Sequence, residues 1–191
     1  HAEEIAKEGL TYLTIGSTNS ELAKKISKGF ECRYVKTVIS EDINGIEYGG
    51  ILKNIYALAA GICKGIGRGD NFISVLVSNA AQEMENFLSK VSPMEKRNIN
   101  NFVYLGDLLV TAYSQHSRNR TFGQMIGSGY SIRSAQLEMN MVAEGYYAAK
   151  CIHDANKNHG ADIPIAEAVY RILYKGSSPN KELDILAMNF S

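Results

Sequence analysis

The sequence predicts a mainly α-helical protein with a short β-α-β unit at its start. Residues 1–40 show two strand-like runs on either side of one amphipathic helix, whereas from Ser40 onward the apolar residues recur at helical spacing. Breaks that contain glycine, such as "GIGRGD" and "IGSGY", divide the second part into segments of helix length. We therefore predict two domains, 1–40 and 41–191, of which only the first contains strands.

The first region is predicted to be a strand, a helix and a strand. The runs "LTYLTIGS" (10–17) and "ECRYVKTVIS" (31–40) are rich in residues that favour strands, and residues 17–28 form an amphipathic pattern that begins at the polar "STNS". Two strands alone do not make a stable sheet, and a parallel pair needs helices on both faces. We expect this region to be the end of a larger α/β domain whose other strands precede His1.

The second region is predicted to be all helical, with no internal repeat. Eight helices are expected, at residues 41–65, 71–91, 106–112, 117–126, 131–139, 142–157, 165–174 and 181–188. The segment "KGIGRGDN" (64–71) follows a helix rather than a strand, and its glycines miss the spacing of a dinucleotide-binding loop. It is predicted to be a helix stop and a tight turn.

Composition argues against several kinds of partner and site. Twenty basic and twenty acidic residues cancel without a long run of either sign, so neither a nucleic-acid surface nor a polybasic membrane contact is expected. The longest apolar run is too short to form an integral membrane segment. Three cysteines and four histidines lack the spacing of a disulfide framework, a metal site or a catalytic triad. We therefore predict no metal, and a reducing, cytoplasmic location.

The most apolar segment, "GGILKNIYALAAG" (49–61), carries a lysine that needs an anion. As a helix this segment has almost no solvent face, and a buried lysine is rarely unpaired because burial lowers its pKa. Small residues follow Lys53 on the same helix face, at Ala57, Ala60 and Gly61. Two interpretations stay open here: Lys53 acts in a functional site, or the small residues admit a neighbouring helix while Lys53 reaches past it to solvent.

A second polar group follows in "FVYLGDLLVTAYSQHSRNRTFG" (102–123). Asp107 opens a short apolar helix with Thr111 one turn further on the same face, and taken alone this aspartate would be an N-cap. Ser117 to Arg120 ("SRNR") open the next helix, where backbone N–H groups, the helix dipole and arginines make a phosphate site. An arginine pair can equally be a solvated face. A lysine, a carboxylate and a phosphate cradle in one chain are more specific than any one of them.

Four motifs together resemble the family of bacterial NAD(P)-dependent glycerol-3-phosphate dehydrogenases. They are "GGILKNIYALAAGICKGIGRGDN", "GDLLVTAYSQHSRNRTFG", "AEGYYAAK" and "IPIAEAVYRILYKG", and they occur in the family's order over essentially the whole chain. "HAEEIAKEG" resembles a stretch late in that family's Rossmann domain. The resemblance implies a helical substrate domain of the 6-phosphogluconate-dehydrogenase C-terminal type, preceded by the end of a Rossmann domain. The glycine-rich dinucleotide loop and a further family lysine would lie outside this chain.

The resemblance also implies a reaction and a set of site residues. The family reduces dihydroxyacetone phosphate to sn-glycerol 3-phosphate with NADH or NADPH, which supplies glycerophospholipid synthesis. By motif, the catalytic residues are Lys53 and Asp107. The substrate-binding residues are Lys53, Asn54, Asp107, Thr111, Ser117, Arg118 and Asn119, and the cofactor contacts are Arg118, Val142 and Glu144. Without the resemblance, Glu144 near a helix start would be read as a capping residue. Tyr113, His116 and the pair Tyr146 and Tyr147 depart from the usual pattern. We expect neither difference to change the reaction.

These implications predict a geometry and leave two alternatives. Lys53 and Asp107 should lie within hydrogen-bonding or one-water distance, in one cleft with the other substrate residues. The partners would be a phosphorylated triose, the preceding Rossmann segment and a second copy in a homodimer, and the chain alone would be folded but inactive. A related two-domain hydroxyacid reductase would recognise carboxylate instead of phosphate. A non-catalytic helical interaction module would have no use for Lys53, Asp107 and Arg118.

Overall fold

The computed structural model describes residues 2–139 and 141–190 of the 191-residue chain. His1, Asn140 and Ser191, which the two predicted domains include, lie outside the described residues. The described part contains α1 (Ala2–Ala6), β1 (Thr11–Gly16), α2 (Ser20–Phe30), β2 (Val35–Ser40), α3 (Ile43–Ile66), α4 (Asp70–Val91), α5 (Asp107–Tyr113), α6 (Arg118–Gly127), α7 (Ile132–Glu138), α8 (Glu144–Asn156), α9 (Pro164–Lys175) and α10 (Pro179–Asn189). The mainly α fold class is confirmed, and the domain boundary after residue 40 stays a prediction.

The two strands form a parallel pair, as the strand-helix-strand pattern predicts. They are in register from Thr11 opposite Val35 to Gly16 opposite Ser40. The crossover helix α2 begins three residues later than predicted, because the side chain of Asn19 caps it by accepting the N–H of Leu22 at 3.0 Å. α2 then packs on one face of the sheet.

Helix α3 is the centre of the helical region. Its residues are apolar on nearly every side, so it buries against α4, α5, α6, α8 and α9 at once. Asp42 caps its start by accepting the N–H of Gly45 at 3.0 Å. It ends where Gly67 takes a left-handed conformation with φ of 93°, a region that glycine enters without strain. The helix stop predicted in "KGIGRGDN" is therefore confirmed.

Glycines bring α3 and α6 into backbone contact. A Cβ on Gly61 would lie 2.1 Å from the carbonyl oxygen of Arg120, and one on Gly123 would lie 2.1 Å from that of Leu58. Only hydrogen fits between the two backbones at these points. The small residues after Lys53 thus do admit a neighbouring helix, and the same α3 also carries a lysine that is not simply solvated, as described below.

A π-helical turn at Phe102–Gly106, which the sequence analysis did not predict, leads directly into α5. The Tyr104 hydroxyl in this turn donates a hydrogen bond to the carboxylate of Asp42. The same carboxylate accepts hydrogen bonds from Arg97 Nε at 2.6 Å and Nη2 at 2.8 Å. The Arg97 and Asp42 side chains are only 6% and 9% exposed. The Arg97 guanidinium holds the pKa of Asp42 below its usual value. This buried network fixes the π-helical turn, and with it Asp107, against the start of α3.

The outer helices are attached to the core by buried polar contacts. Glu83 on α4 accepts the N–H groups of Ile165 at 2.6 Å and Ala166 at 2.9 Å, and so caps the start of α9. Burial raises the pKa of Glu83 to about 8. Arg171 on α9 binds Glu182 on α10. Within the described ranges, no helix combines the length and apolar character needed to cross a membrane.

Candidate active site

Lys53 and Asp107 face each other where α3 meets α5. The Lys53 ammonium donates a hydrogen bond to Asp107 Oδ2, and the two side chains are 22% and 23% exposed. The predicted contact is therefore present. Asp107 is not the N-cap that its position after Gly106 suggests, because the π-helical turn continues into α5 and its carboxylate is turned toward Lys53. Thr111 lies one turn on, and its hydroxyl donates to the Asp107 carbonyl oxygen at 2.6 Å.

A cavity of about 490 Å³ opens beside this pair. It is lined by Glu4, Gly50, Lys53, Asn54, Asp107, Val110, Thr111, Ser114, His116, Ser117, Arg118, Asn119 and Glu144. Every substrate-binding residue that the motifs indicate is in this set, although residues separated by more than 60 positions in the sequence contribute to it. The structure thus assembles one cleft from α1, α3, α5, the α5–α6 connection and the first turns of α6 and α8.

Val142 is the one predicted site residue that the cleft does not include. It is 58% exposed and lines a second, more apolar cavity of about 380 Å³ with Met139, Met141, Tyr146 and Tyr147 among others. Val142 lies two residues before Glu144, so the second cavity adjoins the first at the start of α8. Its role in binding a cofactor stays a prediction.

The start of α6 forms the cationic end of the cleft. Ser117 is its N-cap, with Oγ accepting the N–H of Arg120 at 3.3 Å. The N–H groups of Arg118 and Asn119, in the first turn, have no partner within the helix. The Arg118 side chain is 43% exposed, with Nη2 3.6 Å from Glu144 Oε1. Backbone donors, a positive helix end and a reachable guanidinium together suit an anion such as phosphate.

Asn54, Asn119 and the start of α8 form a hydrogen-bonded chain along one wall. Asn119 is only 7% exposed; its Oδ1 accepts the Gly145 N–H at 2.8 Å and its Nδ2 donates to Asn54 Oδ1 at 2.9 Å. Asn54 Nδ2 in turn contacts Glu144 Oε2 at 3.3 Å. Glu144 is not a capping residue, because Ala143 precedes α8 with no side-chain cap and the Glu144 carboxylate lies in the cleft. Because both ends of the Asn119 amide are hydrogen-bonded within the protein, this amide forms part of the cleft wall.

Five lining residues were not assigned to the site from the sequence: Glu4, Gly50, Val110, Ser114 and His116. His116 and Ser114 are close in sequence to Ser117, and that nearness is a signal that could have indicated them. Glu4 belongs to α1, for which no local pattern pointed to the cleft. In the part of the chain that the structure describes, no group of three histidine, cysteine or acidic side chains is placed to hold a metal ion.

The sequence and the fold are similar to those of known enzymes. Residues 42–184 match the family model described as NAD-dependent glycerol-3-phosphate dehydrogenase C-terminus. The glycerol-3-phosphate dehydrogenase [NAD(P)+] of Chlorobium limicola is 37% identical over 176 residues, which cover 92% of this chain and 53% of that protein. The enzyme of Lactobacillus johnsonii is 36% identical over 183 residues, covering 96% and 54%.

A solved structure of this enzyme has the same fold as this chain. The crystal structure of glycerol-3-phosphate dehydrogenase from Coxiella burnetii superposes with a TM-score of 0.93 at 28% identity, covering 98% of this chain and 57% of that chain. This chain therefore spans about half the length of the relatives that it matches. Because the family match runs from the N-cap of α3 into α10, the chain belongs to the NAD-dependent glycerol-3-phosphate dehydrogenase family, whose C-terminal domain it carries.

Proposed function

We propose that this chain supplies the substrate half of a glycerol-3-phosphate dehydrogenase that interconverts dihydroxyacetone phosphate and sn-glycerol 3-phosphate. One observation carries the proposal. The cleft places a charged Lys53–Asp107 pair and the Arg118 end of α6 in one cavity of about 490 Å³. A three-carbon phosphate ester carries a carbonyl at one end of a short chain and a dianion at the other, which suits these two groups.

The phosphate end is held by α6. Ser117 fixes the first turn of that helix, so that its N–H groups point at the anion, and Arg118 adds a charge-assisted contact. The pairing of Arg118 with Glu144 is long and both side chains are exposed, so a bound dianion can draw the guanidinium away from it. Arg118 thereby anchors the substrate at a fixed distance from Lys53.

The carbonyl end lies beside Lys53. In the reducing direction the Lys53 ammonium donates a proton to the carbonyl oxygen, on which negative charge develops, and in the oxidising direction the amine takes that proton from the hydroxyl. Asp107 keeps the ammonium directed and compensates its charge inside the cleft. The π-helical turn and its buried Asp42–Arg97 pair keep Asp107 in place.

The cofactor that the family uses, NAD(P)H, supplies the hydride to the carbonyl carbon when it is bound. The residues present fit part of such a site: Glu144 is 64% exposed at the open side of the cleft, next to Arg118. The sequence contains no GxGxxG loop after a strand, so most dinucleotide contacts would come from a Rossmann domain. In this proposal Arg118, Glu144 and Val142 line the side of the cleft where the nicotinamide binds. The strands β1 and β2 belong to the Rossmann domain.

The two alternative functions are less well supported by this cleft. A hydroxyacid reductase needs a carboxylate site, for which a single arginine suffices, whereas here an N-terminal helix turn reinforces Arg118. An interaction module would not retain a partly buried Lys53–Asp107 pair, because such pairs are costly to desolvate. Cytoplasmic location, a role in phospholipid synthesis and a homodimer are further parts of the proposal. All three cysteines are free thiols, which fits a reducing compartment.

Calorimetric titration and an activity assay test the proposal. The purified chain should bind dihydroxyacetone phosphate but not dihydroxyacetone, and Arg118→Ala should weaken this binding by about 10- to 100-fold, since a charge-assisted contact is lost. Arg133→Ala on α7, which does not line the cleft, is the matched control. The chain alone should show no turnover, and joining it to the nucleotide-binding half of the Chlorobium limicola relative should give NAD(P)H oxidation. Turnover of a hydroxyacid, or equal binding of dihydroxyacetone, would contradict the proposal.

A further inference from the structure

We propose that Asn119 is a positioning residue that fixes the orientation of the Asn54 side-chain amide, so that Asn54 presents an N–H donor to the cleft beside Lys53. The motif comparison groups Asn119 with the substrate-binding residues. Its burial and its hydrogen bonds assign it a different role, which acts through Asn54. The catalytic consequence rests on the proposed function, whereas the amide orientation can be tested without it.

The backbone N–H of Gly145 fixes the orientation of the Asn119 side-chain amide. A backbone N–H can only donate, so the Asn119 atom 2.8 Å away must be its oxygen. This contact is secured by close packing, because a Cβ on Gly145 would lie 2.7 Å from the Asn54 carbonyl oxygen and 3.0 Å from Asn119 Oδ1. The start of α8 therefore approaches α3 and α6 closely enough to fix which way the Asn119 amide points.

The Asn119 amide in turn fixes the orientation of the Asn54 amide. With its oxygen held by Gly145, Asn119 directs its NH₂ group at Asn54, and the Asn54 atom 2.9 Å away must accept and hence is oxygen. This second bond is also shielded from water, because Asn119 is 7% exposed. If the Asn54 amide exchanged its two ends, its NH₂ group would face the NH₂ group of Asn119, donor against donor.

The remaining end of the Asn54 amide is its NH₂ group, which lines the cleft next to Lys53. Its partner there is Glu144 Oε2, at a long 3.3 Å and on an exposed side chain. A substrate oxygen can replace so weak a contact. Asn54 would then add a neutral donor to the ammonium of Lys53 at the carbonyl oxygen that gains charge during hydride transfer.

A substitution of nearly equal shape tests the orientation directly. In Asn119→Asp one carboxylate oxygen still accepts the Gly145 N–H, but the other faces Asn54 Oδ1, so the Asn54 amide should turn and present its oxygen to the cleft. In ¹⁵N NMR spectra of the purified chain, Glu144→Ala should shift the Asn54 side-chain NH₂ signals in the otherwise unchanged chain but not in the Asn119→Asp background. Equal shifts in both backgrounds would overturn the assignment, whether or not the protein proves to be a dehydrogenase.

Kinetics of the chain joined to the nucleotide-binding half of the Chlorobium limicola relative test the catalytic consequence. Asn119→Asp should lower kcat about 10- to 100-fold with a KM for dihydroxyacetone phosphate changed less than about threefold, since the phosphate anchor is untouched. Asn158→Asp, an exposed position after α8 with the same charge change, is the control and should match the wild type.

A second set of variants covers the case in which Asn119→Asp does not fold. Asn54→Leu and Asn119→Ala should each lower kcat by a similar factor, and the double variant should be no slower than Asn54→Leu, because Asn119 acts only through Asn54. Losses that multiply in the double variant, or a KM effect larger than the kcat effect, would show that Asn119 binds substrate itself.

Discussion

Replacing Gly123 by alanine perturbs the close contact between α3 and α6, on which the shape of the cleft depends. The added Cβ would lie 2.1 Å from the Leu58 carbonyl oxygen, and neither this oxygen nor the Cα that carries the Cβ can move without moving its helix backbone. α6 must therefore withdraw by roughly 1 Å to reach an ordinary van der Waals distance. Overpacking of this kind costs about 1–3 kcal/mol, of which the better helix propensity of alanine offsets up to about 1 kcal/mol.

The same displacement reaches the site. Asn119 lies one turn before Gly123 on α6, and its bond to Asn54 is 2.9 Å long, so a 1 Å withdrawal of α6 takes it beyond hydrogen-bonding distance. We expect urea unfolding of Gly123→Ala, followed by circular dichroism, to give a free energy of unfolding about 1–2 kcal/mol below that of the wild type. Binding of dihydroxyacetone phosphate should weaken as well.

Gly29→Ala is the matched control for this experiment. Gly29 is also helical, near the end of α2, but a Cβ there would meet nothing within 4 Å. The Gly29→Ala substitution should therefore raise the free energy of unfolding, by up to about 1 kcal/mol, because alanine has the higher helix propensity. If Gly123→Ala were as stable as Gly29→Ala and bound ligand as tightly as the wild type, the argument from helix contact would be wrong.

Two further predictions concern buried ionisable side chains. Because the pKa of Glu83 is raised to about 8 from a usual 4.5, the folded chain keeps a proton that the unfolded chain has lost, so stability should fall as pH rises through this interval. Glu83→Gln should flatten that slope, which is at most about 1.4 kcal/mol per pH unit, in urea unfolding at several pH values. Arg97→Ala leaves the Asp42 carboxylate buried without its cation, and should lower the free energy of unfolding at pH 7 by about 3 kcal/mol. Thermal and urea unfolding of this variant should agree, and an unchanged midpoint would contradict the role of the network.

Local patterns were sufficient to predict most of the helices. The starts of α2, α3 and α6 carry side chains that accept backbone N–H groups, namely Asn19, Asp42 and Ser117, and the α3 stop carries a glycine, so these four boundaries have a cause within a few residues. The apolar helix around Lys53 predicted that this lysine needs a nearby anion, and the motif resemblance indicated that the anion is Asp107.

What the sequence did not predict depends on contacts between distant residues. The π-helical turn before Asp107 is stabilised by Tyr104 bonding to Asp42, 62 positions earlier, and nothing in "FVYLG" itself favours that turn over an α-helix. In the same way, the motif indicated that Asn119 belongs to the site but not that its amide is buried between Asn54 and Gly145. Local sequence determines which side chains are present, and tertiary packing determines which of their atoms face the cleft.

The most direct test of the account is the rate of hydride transfer in the chain joined to the nucleotide-binding half of the Chlorobium limicola relative when Lys53 is replaced by methionine. Methionine keeps much of the bulk of the side chain but has no proton to give. In single-turnover experiments with NADH or NADPH and dihydroxyacetone phosphate, we expect hydride transfer to slow by about two to four orders of magnitude, with the far-ultraviolet circular dichroism unchanged. If a folded Lys53→Met protein transferred hydride as fast as the wild type, another group would be the acid and the assignment of the cleft would be wrong.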